Sequence, residues 1–118
     1  MSVKWISHKG KKIIHADCKG LSEQDIIANL TEVTEIILAS GETDVLTWID
    51  LEGVYGTPEF MKAAMKIGKK TIHLVKKGAF NIDVSITKRL LFQTYNAFTG
   101  GKRKICEPGE DPLDWLVE

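Results

Sequence analysis

The chain contains 118 residues, of which 43% are hydrophobic and 27% are charged. This length and composition predict one domain whose core is large enough to fold without a metal ion or a disulfide. Sixteen basic residues balance sixteen acidic residues, so the total charge does not indicate a nucleic-acid or anionic-membrane partner. Cys18 and Cys106 lie far apart and form no Cys-x-x-Cys motif. We therefore expect two free thiols, no metal site and no cofactor.

Membrane and export signals are missing from the sequence. The apolar stretch Ile36–Ala39 is far shorter than the roughly 20 residues of a membrane-spanning helix. Residues Met1–Trp5 lack the apolar region and cleavage site of a signal peptide. The sequence therefore predicts a cytoplasmic protein with no transmembrane segment.

The first half of the chain predicts a hairpin, a helix and a central strand. Two β-prone runs, Val3–His8 and Lys11–Asp17, flank a Lys-Gly pair that is typical of a tight turn. Ser22 is a helix N-cap residue, and the helix that it begins is predicted to end at Ser40-Gly41. The segment Val45–Asp50 is almost entirely apolar, which predicts a strand in the middle of the sheet that is covered on both faces.

The segment Thr57-Pro58-Glu59 predicts the start of a second helix. It supplies an N-cap, a proline at the first helical position and an acid that complements the helix dipole. Apolar residues recur at helical spacing after it, so we predict a helix over 58–76, with Gly78 as its stop. The alternative is a break near Gly68 followed by a strand over 71–75.

The remaining segments complete an alternating pattern of strands and helices. We predict a short strand over Ala79–Ile82, a helix over Val84–Phe98, a strand over Arg103–Cys106 and a terminal helix over Pro112–Val117. The order β-β-α-β-α-β-α-β-α predicts an α/β fold. It has a mixed four- to five-stranded sheet, an N-terminal hairpin and four flanking helices.

Five segments, in this order and spacing, resemble a known family. They are residues 9–14 (KGKKII), 20–21 (GL), 45–46 (VL), 50–54 (DLEGV) and 113–118 (LDWLVE). Together they resemble the small SpoIIAA-like proteins of the STAS class, which share the fold of bacterial anti-sigma factor antagonists. The resemblance covers almost the whole chain. It implies one STAS domain over residues 1–118 that acts by docking onto protein partners, and a related branch resembles lipid-binding CRAL-TRIO domains.

The resemblance also directs attention to the start of the second helix. In anti-sigma factor antagonists, a strand like 45–54 leads to a serine at a helix N-terminus, whose phosphorylation switches partner binding. Thr57 is the only serine or threonine that can take this role here. A phosphate would gain from the helix dipole, but Pro58 removes one amide donor and Glu59 would repel it. Thr57 is therefore either a plain N-cap or a partner-contact and phosphorylation residue, with Asp50, Tyr55 and Glu59 as its neighbours.

No enzyme motif is present. The sequence contains no Gly-x-Ser-x-Gly elbow, no phosphate-binding glycine loop and no His-Glu-x-x-His pair. Asp50 lies at the predicted carboxyl end of the central strand, where it either polarises a bound ligand or caps a turn through backbone N–H groups. We therefore predict a non-enzymatic protein.

The balanced total charge conceals a strongly basic segment. Residues 62–104 contain eleven basic residues and one acidic residue, so this segment carries +10 and the rest of the chain −10. We predict a basic surface on the second and third helices, either as a solvated face or as a site for an acidic protein, an anionic lipid or a phosphate-bearing ligand. Its helical members are Lys62, Lys66, Lys69, Lys70, Lys88 and Arg89.

Two functions remain open from the sequence. The first is a regulatory or protein-interaction module that docks through residues 54–60 and the basic helix face. The alternative is a carrier of a lipid or small apolar molecule, with a pocket between the sheet and the second and third helices. A homodimer is also consistent with the opposite charges of the two parts of the chain, whereas the basic segment lacks the interleaved exposed aromatic residues of a nucleic-acid-binding surface.

Overall fold

Five strands form one sheet in the computed structural model, which describes residues 3–54, 57–82, 103–107 and 109–118. The strands are β1 (Val3–His8), β2 (Lys11–Asp17), β3 (Val45–Leu51), β4 (Val75–Ile82) and β5 (Arg103–Cys106). They lie side by side in sequence order. β1 is antiparallel to β2, and every other neighbouring pair is parallel. The predicted mixed sheet, opening hairpin and central position of β3 are confirmed.

Three α-helices accompany the sheet in the described residues. They are α1 (Glu23–Ser40), α2 (Pro58–Gly68) and α3 (Leu113–Val117). The Ser22 side chain accepts a hydrogen bond from the Asp25 amide at 3.2 Å, and Gly41 ends α1 with φ of 68°. These caps confirm the predicted bounds of α1. The predicted helix Val84–Phe98 lies outside the described residues, as do Tyr55, Lys88 and Arg89.

The predicted continuous helix over 58–76 is wrong. α2 ends at Gly68, and a short 3₁₀ helix over Ile72–Leu74 leads directly into β4 at Val75. The alternative of a break near Gly68 is therefore confirmed. The strand that follows starts at Val75, whereas the alternative placed it over 71–75. Gly costs a helix roughly 1 kcal/mol relative to Ala, and after the break β4 pairs with β3 from Val75 to Ile82, with a register shift that leaves Lys76 unpaired.

Gly78 is a strand residue and not a helix stop. It pairs with Thr47 on one side and with Arg103 on the other. A Cβ atom at position 78 would lie 2.9 Å from Thr47 Oγ1 and 3.0 Å from Arg103 Cδ. The absence of a side chain therefore gives the Arg103 side chain room to pass over β4.

The two faces of the sheet pack against different elements. Because strand residues alternate between faces, Val45 and Ile49 contribute to the cluster that includes α1 and α2, whereas Leu46 and Trp48 belong to the cluster under α3. None of the described helices is long and apolar enough to span a membrane.

Basic side chains hold α3 against the face of the sheet opposite to α1 and α2. Lys77 Nζ donates to the Trp115 carbonyl at 2.9 Å, and Lys11 Nζ donates to the Val117 carbonyl at 3.2 Å. His8 Nε2 lies 2.8 Å from Asp114 Oδ1, and this hydrogen bond, together with Lys9, lowers the pKa of Asp114. The short helix therefore depends on contacts with the sheet more than on its own length.

The close contacts of Gly78 predict the effect of adding one methyl group. Gly78→Ala should lower the free energy of unfolding by about 1–3 kcal/mol, because Thr47 and Arg103 must move away from the new Cβ. Urea denaturation measures the change. Lys76→Ala, at an exposed position of the same strand, is the matched control and should stay within about 0.5 kcal/mol of the unsubstituted protein. Equal losses in the two variants would contradict this account of Gly78.

Both cysteines are free thiols, as predicted, and both are buried. Burial and the nearby Glu110 raise the pKa of Cys106 to about 11 from an ordinary value of 9.0. The folded state therefore holds the thiol proton more tightly than the unfolded state. Its contribution to stability is complete below pH 9 and is lost as the pH rises towards 11.

We expect neither thiol to react with an aromatic disulfide reagent at pH 8 until the protein unfolds. We also expect Cys106→Val to reduce the loss of melting temperature between pH 9 and pH 11. Thermal melts across this range measure the difference. Rapid labelling of the folded protein at pH 8, or identical pH slopes for the two proteins, would show that Cys106 is not protected as described.

Candidate functional site

Thr57 joins the starts of α1 and α2. Its Oγ1 accepts a hydrogen bond from the Phe60 amide at 3.2 Å, which confirms the predicted N-cap. The same hydroxyl donates to Glu23 Oε2 at 3.2 Å, and the Thr57 amide donates to Glu23 Oε1 at 3.4 Å. A carboxylate from the first turn of α1 therefore occupies the position at which an anion would meet the α2 N-terminus.

This arrangement is unfavourable for a phosphate on Thr57. The hydroxyl already donates and accepts, and the Glu23 carboxylate would repel a phosphate attached to it. Pro58 has no backbone N–H to donate to a phosphate, and Glu59 adds a further negative charge, as the sequence indicated. Thr57 as a phosphorylation or partner-contact residue stays a prediction.

Asp50 is a turn-capping residue at the carboxyl end of β3. Its side chain is buried, and Oδ1 accepts a hydrogen bond from the Glu52 amide at 3.0 Å. Oδ2 lies 3.8 Å from Lys19 Nζ. Of the two roles that the sequence left open, the capping role matches these contacts. Among the described residues, no hydrogen bond joins Asp50 to Thr57.

A polar network that the sequence did not indicate anchors the loop after β5. Asn81 is only 1% exposed. Its Oδ1 accepts from Trp48 Nε1 at 2.6 Å, and its Nδ2 donates to the Glu107 and Glu110 carbonyls at 3.0 and 2.8 Å. A lone asparagine in an apolar strand was the available signal, because a buried amide must find partners.

Lysines form a basic stripe on the outer face of α2. Lys62 and Lys66 are exposed one helical turn apart, and the exposed Lys69 and Lys70 follow directly after Gly68. Within the described part of the chain, Lys62, Lys66 and Lys70 form no ion pair. The four described members of the predicted basic surface therefore lie on or directly after one helix.

A cavity of about 90 Å³ lies between the sheet, α1 and α2. Most of its described wall is apolar, with representative contributions from Ile37 of α1, Ile49 of β3, Met61 and Met65 of α2, and Phe80 of β4. The sequence predicted a pocket between the sheet and the second and third helices. The described walls come from the sheet, α1 and α2, and the predicted third helix lies outside the described residues.

Four polar side chains also line this cavity. Thr34, Thr47, Thr71 and Arg103 are 7%, 5%, 4% and 8% exposed, respectively. The Thr34 hydroxyl donates to the Leu30 carbonyl at 3.1 Å. The hydroxyls of Thr47 and Thr71 form no hydrogen bond with any described residue. The sequence analysis missed these residues, because threonine is common in strands and turns and Arg103 counted only towards the basic segment.

The described residues contain no cluster of His, Cys, Asp or Glu side chains able to hold a metal ion. The features that remain as candidates for function are the α2 lysine stripe, the turn at Thr57 and the cavity beneath α2. All three involve α2.

Comparisons with known proteins show the fold. A scan against protein-family models finds no match, and a search of curated proteins finds none. A search of solved structures finds an uncharacterized protein of the DUF3478 family from Shewanella loihica PV-4, described as having a SpoIIAA-like fold. The two chains are 20% identical with a TM-score of 0.64, over 97% of this chain and 91% of the other. The resemblance seen in the sequence is confirmed at the level of structure: this chain has a SpoIIAA-like fold.

Proposed function

We propose that this protein is a non-enzymatic interaction module that docks onto an acidic protein surface through α2 and the turn before it. The observation that carries the proposal is the lysine stripe, in which Lys62, Lys66 and Lys70 are exposed and lack ion-pair partners among the described residues. A SpoIIAA-like fold is compatible with this role, although the fold alone does not determine function.

Four other lysines on the described surface are paired with carboxylates, unlike Lys62, Lys66 and Lys70. Lys9, Lys12, Lys19 and Lys104 each lie 2.9–3.8 Å from a carboxylate oxygen. Like charges one helical turn apart, such as Lys62 and Lys66, destabilise a helix by a few tenths of a kcal/mol. An approaching acidic surface removes this repulsion, accelerates association and selects the partner's orientation.

The chemistry of the remaining groups supports a non-enzymatic role. The Asp50 carboxylate is engaged in its turn. Burial raises the pKa of the Cys18 thiol, and the Asn29 side chain that donates to its sulfur at 3.6 Å does not offset the effect. The pKa of the Cys106 thiol is raised as well. Neither cysteine is poised as a thiolate nucleophile.

The cavity bears on the alternative of a lipid carrier. Its volume of about 90 Å³ is well below the roughly 300–1,000 Å³ of sites that enclose drug-sized ligands. A long acyl chain would require α2 to move away from the sheet. The geometry therefore supports docking through α2 in preference to transport of a lipid.

Reversing two charges of the stripe tests the docking proposal. Lys62→Glu/Lys66→Glu should weaken binding of the acidic partner at least tenfold, because like charges then face each other across the interface. The tagged protein is isolated from its own cells, retained proteins are quantified by mass spectrometry, and the affinity of each is then measured against salt concentration.

Lys4→Glu/Lys76→Glu is the matched control. Both positions are exposed and form no ion pair in the described part of the chain, and the net charge changes by the same amount. This control should retain the partner. The proposal fails if the Lys62/Lys66 variant retains every protein that the unsubstituted chain retains, or if the two reversals act equally.

The contact between Thr57 and Glu23 predicts how a negative charge at position 57 acts. Thr57→Asp keeps an N-cap oxygen but faces the Glu23 carboxylate, so the free energy of unfolding should fall by about 1 kcal/mol. Adding Glu23→Gln should restore most of this loss. Chemical denaturation of the two single variants and the double variant measures the coupling. Additive effects would show that the two side chains do not interact in solution.

A further inference from the structure

We propose that the cavity beneath α2 is a binding site for a small, mainly apolar molecule with one oxygen-bearing end, such as a short branched alcohol or carboxylic acid. This site is separate from the lysine stripe on the outer face of the same helix. The proposal therefore does not depend on the docking function.

The central observation is a threonine hydroxyl that faces the cavity without a hydrogen-bond partner among the described residues. Thr47 is 5% exposed and lies in the middle of the central strand, with the aliphatic Val45 and Ile49 on the same face. A valine at position 47 would have nearly the same shape as the threonine and would place no polar group in this apolar wall. Within the described structure, the Thr47 hydroxyl forms no hydrogen bond, although buried polar groups nearly always find a partner.

Thr34 shows that the cavity does not force a hydroxyl to remain unpaired. It lines the same cavity and is also buried, but its hydroxyl donates to the Leu30 carbonyl of its own helix. Thr71, on the segment between α2 and β4, resembles Thr47 and not Thr34, because its hydroxyl has no hydrogen-bond partner among the described residues. Two of the three threonine hydroxyls are therefore available to a ligand.

Thr47 and Arg103 give the cavity a polar corner. The position that a Gly78 Cβ would occupy lies 2.9 Å from Thr47 Oγ1 and 3.3 Å from Arg103 Nε. The bare glycine thus lets a guanidinium group approach a hydroxyl group on the otherwise apolar wall. A ligand oxygen at this corner accepts a hydrogen bond from the Thr47 hydroxyl.

The size of the cavity limits the ligand. An apolar cavity of about 150 Å³ accepts benzene or xenon, so a volume of about 90 Å³ fits roughly four non-hydrogen atoms, and a slightly larger molecule enters as the wall adapts. Met61 and Met65 of α2 form part of the wall, and their flexible side chains adapt to a ligand's shape.

Methyl NMR of the whole protein tests the site directly. Methionine methyl groups labelled with ¹³C report at Met61 and Met65 while isobutanol, isobutyrate or xenon is added. We expect saturable shifts with xenon and with isobutanol, isobutyrate or both. Whichever of isobutanol and isobutyrate binds more tightly identifies the chemical class of the ligand's polar end. Thr47→Val should weaken the oxygen-bearing probe about three- to tenfold, as expected for one lost hydrogen bond, and leave xenon binding unchanged.

Two controls separate this result from a structural effect. Thr34→Val removes a hydroxyl from the same cavity that is already bonded, so it should leave all probe affinities unchanged. Lys62→Glu/Lys66→Glu should also bind the probes normally, even if it fails to dock a partner. Without any probe, Thr47→Val should raise the melting temperature, because a methyl group replaces an unpaired buried hydroxyl.

Three results would overturn the proposal. The first is that neither isobutanol nor isobutyrate gives a saturable shift, which would assign the polar corner to resident water. The second is an equal loss of affinity in Thr47→Val and Thr34→Val. The third is a lower melting temperature for Thr47→Val, which would show that the hydroxyl stabilises the protein itself.

Discussion

The pairing of β4 with β3 is the interaction on which the rest of this structure depends. It starts at Val75, opposite Val45, and takes the chain out of helical conformation within a few residues of Gly68. The same register places Gly78 between Thr47 and Arg103. Because Gly78 has no side chain, both polar groups lie close to the space above it, and both line the cavity that α2 covers.

α2 is anchored less firmly than α1. Phe60 is its only fully buried described residue, whereas α1 buries five, among them Ile26 and Ile37. Its start is secured by Thr57 and by the Glu23 carboxylate from α1. Elements with few buried apolar contacts have low local stability. α2 therefore combines a basic outer face with an inner face that is less firmly anchored than that of α1.

Much of the fold was predictable because its signals are local. The hairpin turn follows from Lys9-Gly10, both of which have positive φ, and the start of α2 follows from Thr57 and Pro58. The end of α2 was not predictable from periodicity, because Thr71, Leu74 and Val75 lie in or against the same core in either conformation. Only the pairing with a strand 30 residues earlier in the chain, Val45 with Val75, decides between helix and strand.

The candidate site was predictable only in part for a similar reason. The lysine stripe follows from the spacing of charges along one helix. The roles of Thr47 and Arg103 depend on three strands and on a glycine between them, which no local pattern contains. Glu23 lies in the first turn of α1, and its contact with Thr57 joins residues 34 positions apart in the chain, which no local pattern indicates.

The position of α3 has a consequence for the order in which the domain assembles. Residues 113–117 cover the sheet face formed by Ile13, Leu46 and Ala79, and they are synthesised after every strand. Until they emerge from the ribosome, that apolar face lacks its cover while the other face already has α1 and α2. Contacts between distant parts of a chain form late, and exposed apolar surface in a partly folded chain promotes aggregation. Once α3 has been synthesised, Lys11 and Lys77 hold it over this face and keep the apolar surface covered.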